Sequence, residues 1–139
     1  MKDLKLGFCN KSISHPDGRI IMHEWEHPIM QKKAEWVCAN GGEILELGFG
    51  MGISANYIQQ HNVKSHTICE INTQILTKLY KWAEDKPNVK IVEGDWYNNL
   101  HKMKKYDGIL FDTYADDRYK SFGSFFPKLC KKMSCNLVE

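Results

Sequence analysis

The chain changes hydrophobic period several times, and the changes mark its elements. Residues 1–19 follow neither a helical nor a strand period and contain His15-Pro16-Asp17-Gly18, a turn composition. Residues 1–17 are therefore expected to be an N-terminal arm or lid ahead of one domain, 18–139. Ile29, Met30, Ala34, Trp36 and Val37 recur at roughly helical spacing, predicting a helix from Pro28 to about Asn40, stopped by Gly41-Gly42. Short apolar runs then alternate with amphipathic stretches. The first strand is predicted at Glu43–Leu47, a helix at Ile53–Gln60 and a second strand at Ser65–Glu70. A helix capped by Thr73 carries Ile75, Leu76, Leu79, Trp82 and Ala83 on one stripe and ends before Pro87. A third strand at Val89–Val92, a short helix at Tyr97–Met103 and a fourth strand at Tyr106–Phe111 follow. Phe122, Phe125, Phe126, Leu129, Cys130 and Met133 suggest a last helix. Because an interior proline costs ~3 kcal/mol, it is expected to begin near Pro127.

Strands alternating with helices through short links imply an α/β, Rossmann-like parallel sheet with helices on both faces. Ligands of such sheets bind beyond the carboxyl ends of the strands. Four of those ends carry candidate chemistry: the turn Gly48-Phe49-Gly50-Met51-Gly52, then Glu70, Asp95 and Asp112. Glycine suits the turn because a Cβ would obstruct both its backbone and an approaching ligand. Glu70, 20 residues after Gly50, sits where a carboxylate accepts hydrogen bonds from ribose hydroxyls. As an isolated residue it would also read as a solvated acid at a strand end. Asp95-Trp96 could meet an adenine, although Trp96 also suits plain core packing. A nicotinamide fingerprint needs a third glycine where this chain has Ile53. The G-x-G-x-G spacing, preceded by Glu46 near a ligand's amino group, instead suits S-adenosyl-L-methionine, which has no pyrophosphate.

Charge and composition narrow the partners. A net charge of +2 gives no electrostatic case for nucleic acid or a membrane surface. The lysines of 102–105 and 128–132 read as solvated helix faces. No apolar run approaches the ~18 residues of a membrane span, and Met1–Lys5 lacks a leader-like apolar core. Five cysteines without a C-x-x-C pair read as reduced thiols in a cytoplasmic protein. His23-Glu24-Trp25-Glu26-His27 matches H-E-x-x-H, but Pro28 is expected to push His27 off helical angles, so no metal is expected there. Asp112, Asp116 and Asp117 read as a solvated acidic loop rather than a magnesium site.

Gly18-Arg19-Ile20-Ile21-Met22, Glu24-Trp25-Glu26-His27-Pro28-Ile29-Met30, Glu46 to Ile53, and Tyr106-Asp107-Gly108-Ile109-Leu110-Phe111-Asp112-Thr113-Tyr114 together resemble guanidinoacetate N-methyltransferases, and more distantly the related arginine methyltransferases. The resemblance implies the class I methyltransferase fold and cofactor contacts at Met22, Met30, Phe49 to Ile53, Glu70 to Asn72, and Asp95-Trp96. It implies that Glu26 and Asp112 hold a guanidino substrate such as guanidinoacetate, as in creatine biosynthesis. Chemistry agrees with that pairing, since a planar guanidinium takes carboxylates as bidentate partners. Taken singly, Asp112 also reads as a turn acid and Glu26 as a surface acid before a helix. The family continues past the fourth strand with a further parallel strand and a hairpin. Here Met133–Val138 is expected to be a stunted fifth strand, truncating the fold at about that point. Within it, Cys135-Asn136-Leu137 faintly resembles a family segment that helps hold the substrate's carboxylate. The exposed edge of the fourth strand would then need a homodimer or a partner chain. The alternative expectation is a catalytically weak or inactive cofactor-binding module acting with a partner.

Overall fold

The computed structural model describes residues 2–113. Strands β4 (Glu43–Leu47), β5 (Ser65–Glu70), β6 (Val89–Glu93) and β7 (Gly108–Phe111) form one parallel sheet in the order β6-β5-β4-β7. β4 and β5 are the central strands and are buried almost throughout, as central parallel strands should be, although β5 carries Ser65, His66, Thr67 and Glu70 among its six residues. The expected α/β parallel sheet is present. Helices α1 (His27–Val37), α2 (Ile53–Gln59) and α3 (Thr73–Ala83) pack on the face carrying Ile44, Ile68 and Leu110. The opposite face carries Leu45, Leu47 and Cys69, covered by Trp96, Met103 and Tyr106 from the link between β6 and β7. The expected last helix and fifth strand lie outside the described residues.

Several local expectations change. The short helix expected over Tyr97–Met103 shrinks to a 3₁₀ turn at Leu100–Lys102. The N-terminal region is not free of regular structure. Strands β1 (Gly7–Cys9), β2 (Ser12–Ser14) and β3 (Ile20–His23) form a small antiparallel sheet. Leu6 and Ile13 bury in the same cluster as Met22, Ile75 and Leu79. Within α1, Met30 and Ala34 are buried, whereas Ile29 and Trp36 face outward. The cap of α3 is Asn72 rather than Thr73: its Oδ1 accepts from the amides of Gln74 and Ile75 at 3.1 and 3.2 Å.

The chain leaves β4, builds outward through β5 and β6, then returns to pair β7 on the other side of β4. That reversal leaves a crevice beyond the carboxyl ends of β4 and β7. The return strand fits because Gly108 lets it pass under α1: a Cβ there would lie 2.0 Å from the Val37 carbonyl oxygen. Gly108→Ala is expected to destabilise the fold by about 1–3 kcal/mol, the usual cost of overpacking, measured as a lowered urea midpoint. An unchanged midpoint would contradict the close packing of β7 under α1.

Candidate active site

The glycine turn follows directly from β4. Gly48, Gly50 and Gly52 have φ of +91°, +57° and +76°, a left-handed conformation that side chains with a Cβ rarely adopt. A Cβ on Gly48 would also come within 3.0 Å of the Asp112 carbonyl oxygen, so the ends of β4 and β7 approach closely. Gly52 is the N-cap of α2. Met22 closes the turn from outside, its Sδ accepting from the Met51 amide at 3.2 Å.

A cavity of about 390 Å³ opens at this crevice. Its wall includes eleven of the residues expected from sequence: Met22, Glu26, Met30, Gly48, Phe49, Gly50, Glu70, Ile71, Asp95, Trp96 and Asp112. Ser54, Ile75 and Cys69 add to it without having been expected. The cavity is of ordinary size for a small-molecule site, with apolar sides and a few polar groups.

Four expected contact residues fall outside the wall. Met51 and Gly52 serve the turn itself, Ile53 is buried in the core at the start of α2, and Asn72 is the α3 cap. The amide of Asn72 is committed besides, because its Nδ2 donates to the Leu4 carbonyl at 2.9 Å. Glu46 also lies away from the wall, contrary to its expected place near a ligand's amino group. It is fully buried: Oε1 accepts from the Ser54 hydroxyl and Oε2 pairs with His66 Nε2 at 2.8 Å. The far ring nitrogen of His66 meets Gln59 at 3.0 Å, so a buried polar chain ties β4, β5 and α2 together beneath the turn.

Glu70 is more engaged than a solvated strand-end acid. Its Oε2 accepts from the Phe49 amide at 2.8 Å, and its Oε1 accepts from the Ile71 and Asn72 amides at 2.9 Å each. A carboxylate has about four acceptor sites, so about one remains for a hydroxyl in the cavity. Trp96 packs in the core and also faces the cavity. It is buried, meets Phe111 edge-on with ring centroids 5.2 Å apart, and still forms part of the wall. Asp95 Oδ1 accepts from the Tyr97 amide at 3.1 Å. Burial, with help from Glu70 and Asp95, pushes the Cys69 thiol up to about 12, so it lines the cavity as a neutral thiol.

The two acids expected to hold a guanidinium share this cavity. Glu26 closes the 3₁₀ turn Glu24–Glu26, and its Oε1 accepts from the His23 amide at 3.0 Å in a capping box. Asp112 follows β7, and its Oδ2 accepts from Lys33 Nζ at 3.0 Å. The H-E-x-x-H letters do not form a helical pair of imidazoles, for a reason other than the expected one. His27 is helical despite Pro28, with φ −46° and ψ −49°, while His23 is extended at φ −136° and ψ 149°. Among the described residues no group of three side chains is placed to hold a metal.

The guanidinoacetate N-methyltransferase family model matches residues 10–138. The chain belongs to the guanidinoacetate N-methyltransferase family. That family consists of S-adenosyl-L-methionine-dependent methyltransferases of class I, as the motifs implied. Curated relatives include protein arginine N-methyltransferase 2 from Candida glabrata, 38% identical over 69% of this chain and 26% of its own length. The protein of that name from Yarrowia lipolytica is 32% identical over 84% of this chain and 27% of its own length. The one from Aspergillus oryzae is 33% identical over 89% and 31%. The chain thus spans only about a quarter to a third of these relatives. Among solved structures, spermidine synthase from Thermotoga maritima superposes with a TM-score of 0.66 at 18% identity, covering 96% of this chain and 54% of that one. A spermidine synthase in complex with the transition-state analogue AdoDATO gives 0.58 at 18% identity, covering 81% and 47%. These likenesses support the Rossmann-like fold alone. No helix among the described residues is long and apolar enough to cross a membrane.

The Glu70 contacts yield a direct test. Glu70→Gln removes a charged acceptor from three amides and is expected to weaken S-adenosylhomocysteine binding at least tenfold by calorimetry, since hydrogen bonds to a charged group contribute about 1.5–3 kcal/mol. Unchanged affinity would contradict a cofactor lying against β5.

Proposed function

We propose that this chain carries S-adenosyl-L-methionine-dependent N-methyl transfer to a guanidino compound, guanidinoacetate or one like it. The observation that supports this reading most is the placing of Glu26 and Asp112 on the wall of the cavity that Gly48, Gly50 and Glu70 also line. The cavity suits the cofactor: glycines bring backbone to its floor, Glu70 offers an acceptor, and Met22, Met30 and Trp96 supply apolar sides.

When bound, S-adenosyl-L-methionine supplies an electrophilic methyl group on a sulfonium. The chain's residues do the rest. Among the described residues, Glu26 Oε2 and Asp112 Oδ1 have no protein partner, which leaves each acid an oxygen for a guanidinium N–H. Two carboxylates holding a planar cation fix its orientation, and that fixed orientation is what proximity catalysis requires. A protonated guanidinium has no lone pair to spare, so its nitrogen must shed a proton as the new bond to carbon forms. Asp112, at the strand tip, accepts that proton as general base.

Formation of S-adenosylhomocysteine is expected when the protein meets guanidinoacetate or arginine. Asp112→Asn is expected to lower kcat by about 10²–10⁴-fold, the usual range for a lost general base, with cofactor affinity retained. Cofactor binding without turnover on any guanidine would contradict the enzyme reading and favour a binding module. Full activity in Asp112→Asn would contradict the role given to that residue.

A further inference from the structure

The charged side chains lining the described cavity are Glu26, Glu70, Asp95 and Asp112, all acidic. Asp112 is paired with a basic side chain. Lys33, on α1, sets its ammonium 3.0 Å from Asp112 Oδ2, a contact between residues 79 positions apart. Their separation is set by the packing of α1 over β7, which the tight approach of Gly108 to Val37 holds in place. Both side chains stay about a third exposed, 33% for Lys33 and 36% for Asp112. A water-accessible pair of this kind is weak and exchanges readily.

That exchange matters because a guanidinium is the better partner for a carboxylate, through two parallel bonds against the single point charge of an ammonium. A guanidinium that enters at the open Oδ1 and goes on to pair with both oxygens of Asp112 therefore displaces Lys33 from Oδ2. The displaced ammonium is then a like charge beside the incoming cation, which disfavours binding unless an anion arrives with it. A small guanidino acid carries such an anion a short tether from its guanidinium. A guanidine on a peptide side chain, or one bearing no acid, does not.

We propose that Lys33 is a specificity-determining residue: it releases Asp112 to the guanidinium and takes the substrate's own carboxylate in exchange, selecting small guanidino acids over guanidines that lack a nearby carboxylate. This rests on the guanidine reading of Glu26 and Asp112. Lys33 stays paired before and after substrate binds, and the cavity gains one ligand of matching charge at each end.

The test compares guanidinoacetate with N-methylguanidine, the same skeleton without the acid, as substrates of the wild-type chain, Lys33→Met and Lys33→Arg at saturating S-adenosyl-L-methionine. The wild type is expected to prefer guanidinoacetate. In Lys33→Met the ratio of the two kcat/KM values is expected to narrow by about tenfold, chiefly through a raised KM for guanidinoacetate, and Lys33→Arg is expected to restore most of it. Turnover of both compounds with an unchanged ratio in Lys33→Met overturns the assignment to Lys33 alone. So does an equal loss of S-adenosylhomocysteine affinity in Lys33→Met without guanidine, which would place the ammonium on the cofactor. Failure of the wild type to methylate either compound overturns the guanidine reading, and this inference with it.

Discussion

Parallel pairing of β4 with β5 on one side and β7 on the other determines where the chemistry of this molecule can sit. Parallel strands end together, so the chain leaves all three at one edge of the sheet. At that edge the glycine turn, Glu70 and Asp112 are neighbours despite being about 20 and 60 residues apart in sequence. The pairing holds because apolar side chains on both faces are fully buried and because Gly108 allows β7 to slide beneath α1. Without that clearance Asp112 would be carried away from Gly48.

A second layer lies under the turn. Glu46 and His66 place a carboxylate and an imidazole in a fully buried site, which is expensive unless every polar atom finds a partner. Here Ser54 and Gln59 complete the set, and among the described residues no buried side-chain nitrogen or oxygen lacks a partner. Removing one member would leave the others unsatisfied, typically at about 3–5 kcal/mol for a buried pair. Ser54 belongs both to this chain and to the cavity wall, so the buried network braces the first turn of α2 against the site. Glu70 braces the other side by holding the Phe49 amide.

Most of the sheet was legible from hydrophobic period because central parallel strands bury both faces. β4 and β5 begin and end at the residues expected, and α2 differs by one residue. Weaker signals misled for physical reasons. Strands β1 and β2 are three residues each and mostly half-exposed or exposed, too short and too wet to show a period. On α1 the spacing of Ile29 and Trp36 looked like a core stripe, yet the buried side is Met30 and Ala34, four residues apart. Asn72-Thr73 offered two good caps in succession, and the one whose oxygen reaches back to two amides takes the role. In the site, glycines and strand-end acids were readable because topology dictates their place. The Glu46–His66 and Lys33–Asp112 pairs were not, since long-range contacts between polar side chains leave no periodic trace. Two acids aimed at one flat cation remain the chemical centre of this reading.

The most direct measurement is a crystal structure of the chain with S-adenosylhomocysteine and guanidinoacetate bound together. The account predicts the thioether sulfur above the Gly48–Gly52 turn, with the guanidinium within hydrogen-bond distance of the carboxylates of both Glu26 and Asp112. A guanidine bound away from either acid, or a nucleoside lying outside the cavity beside Glu70, would contradict it.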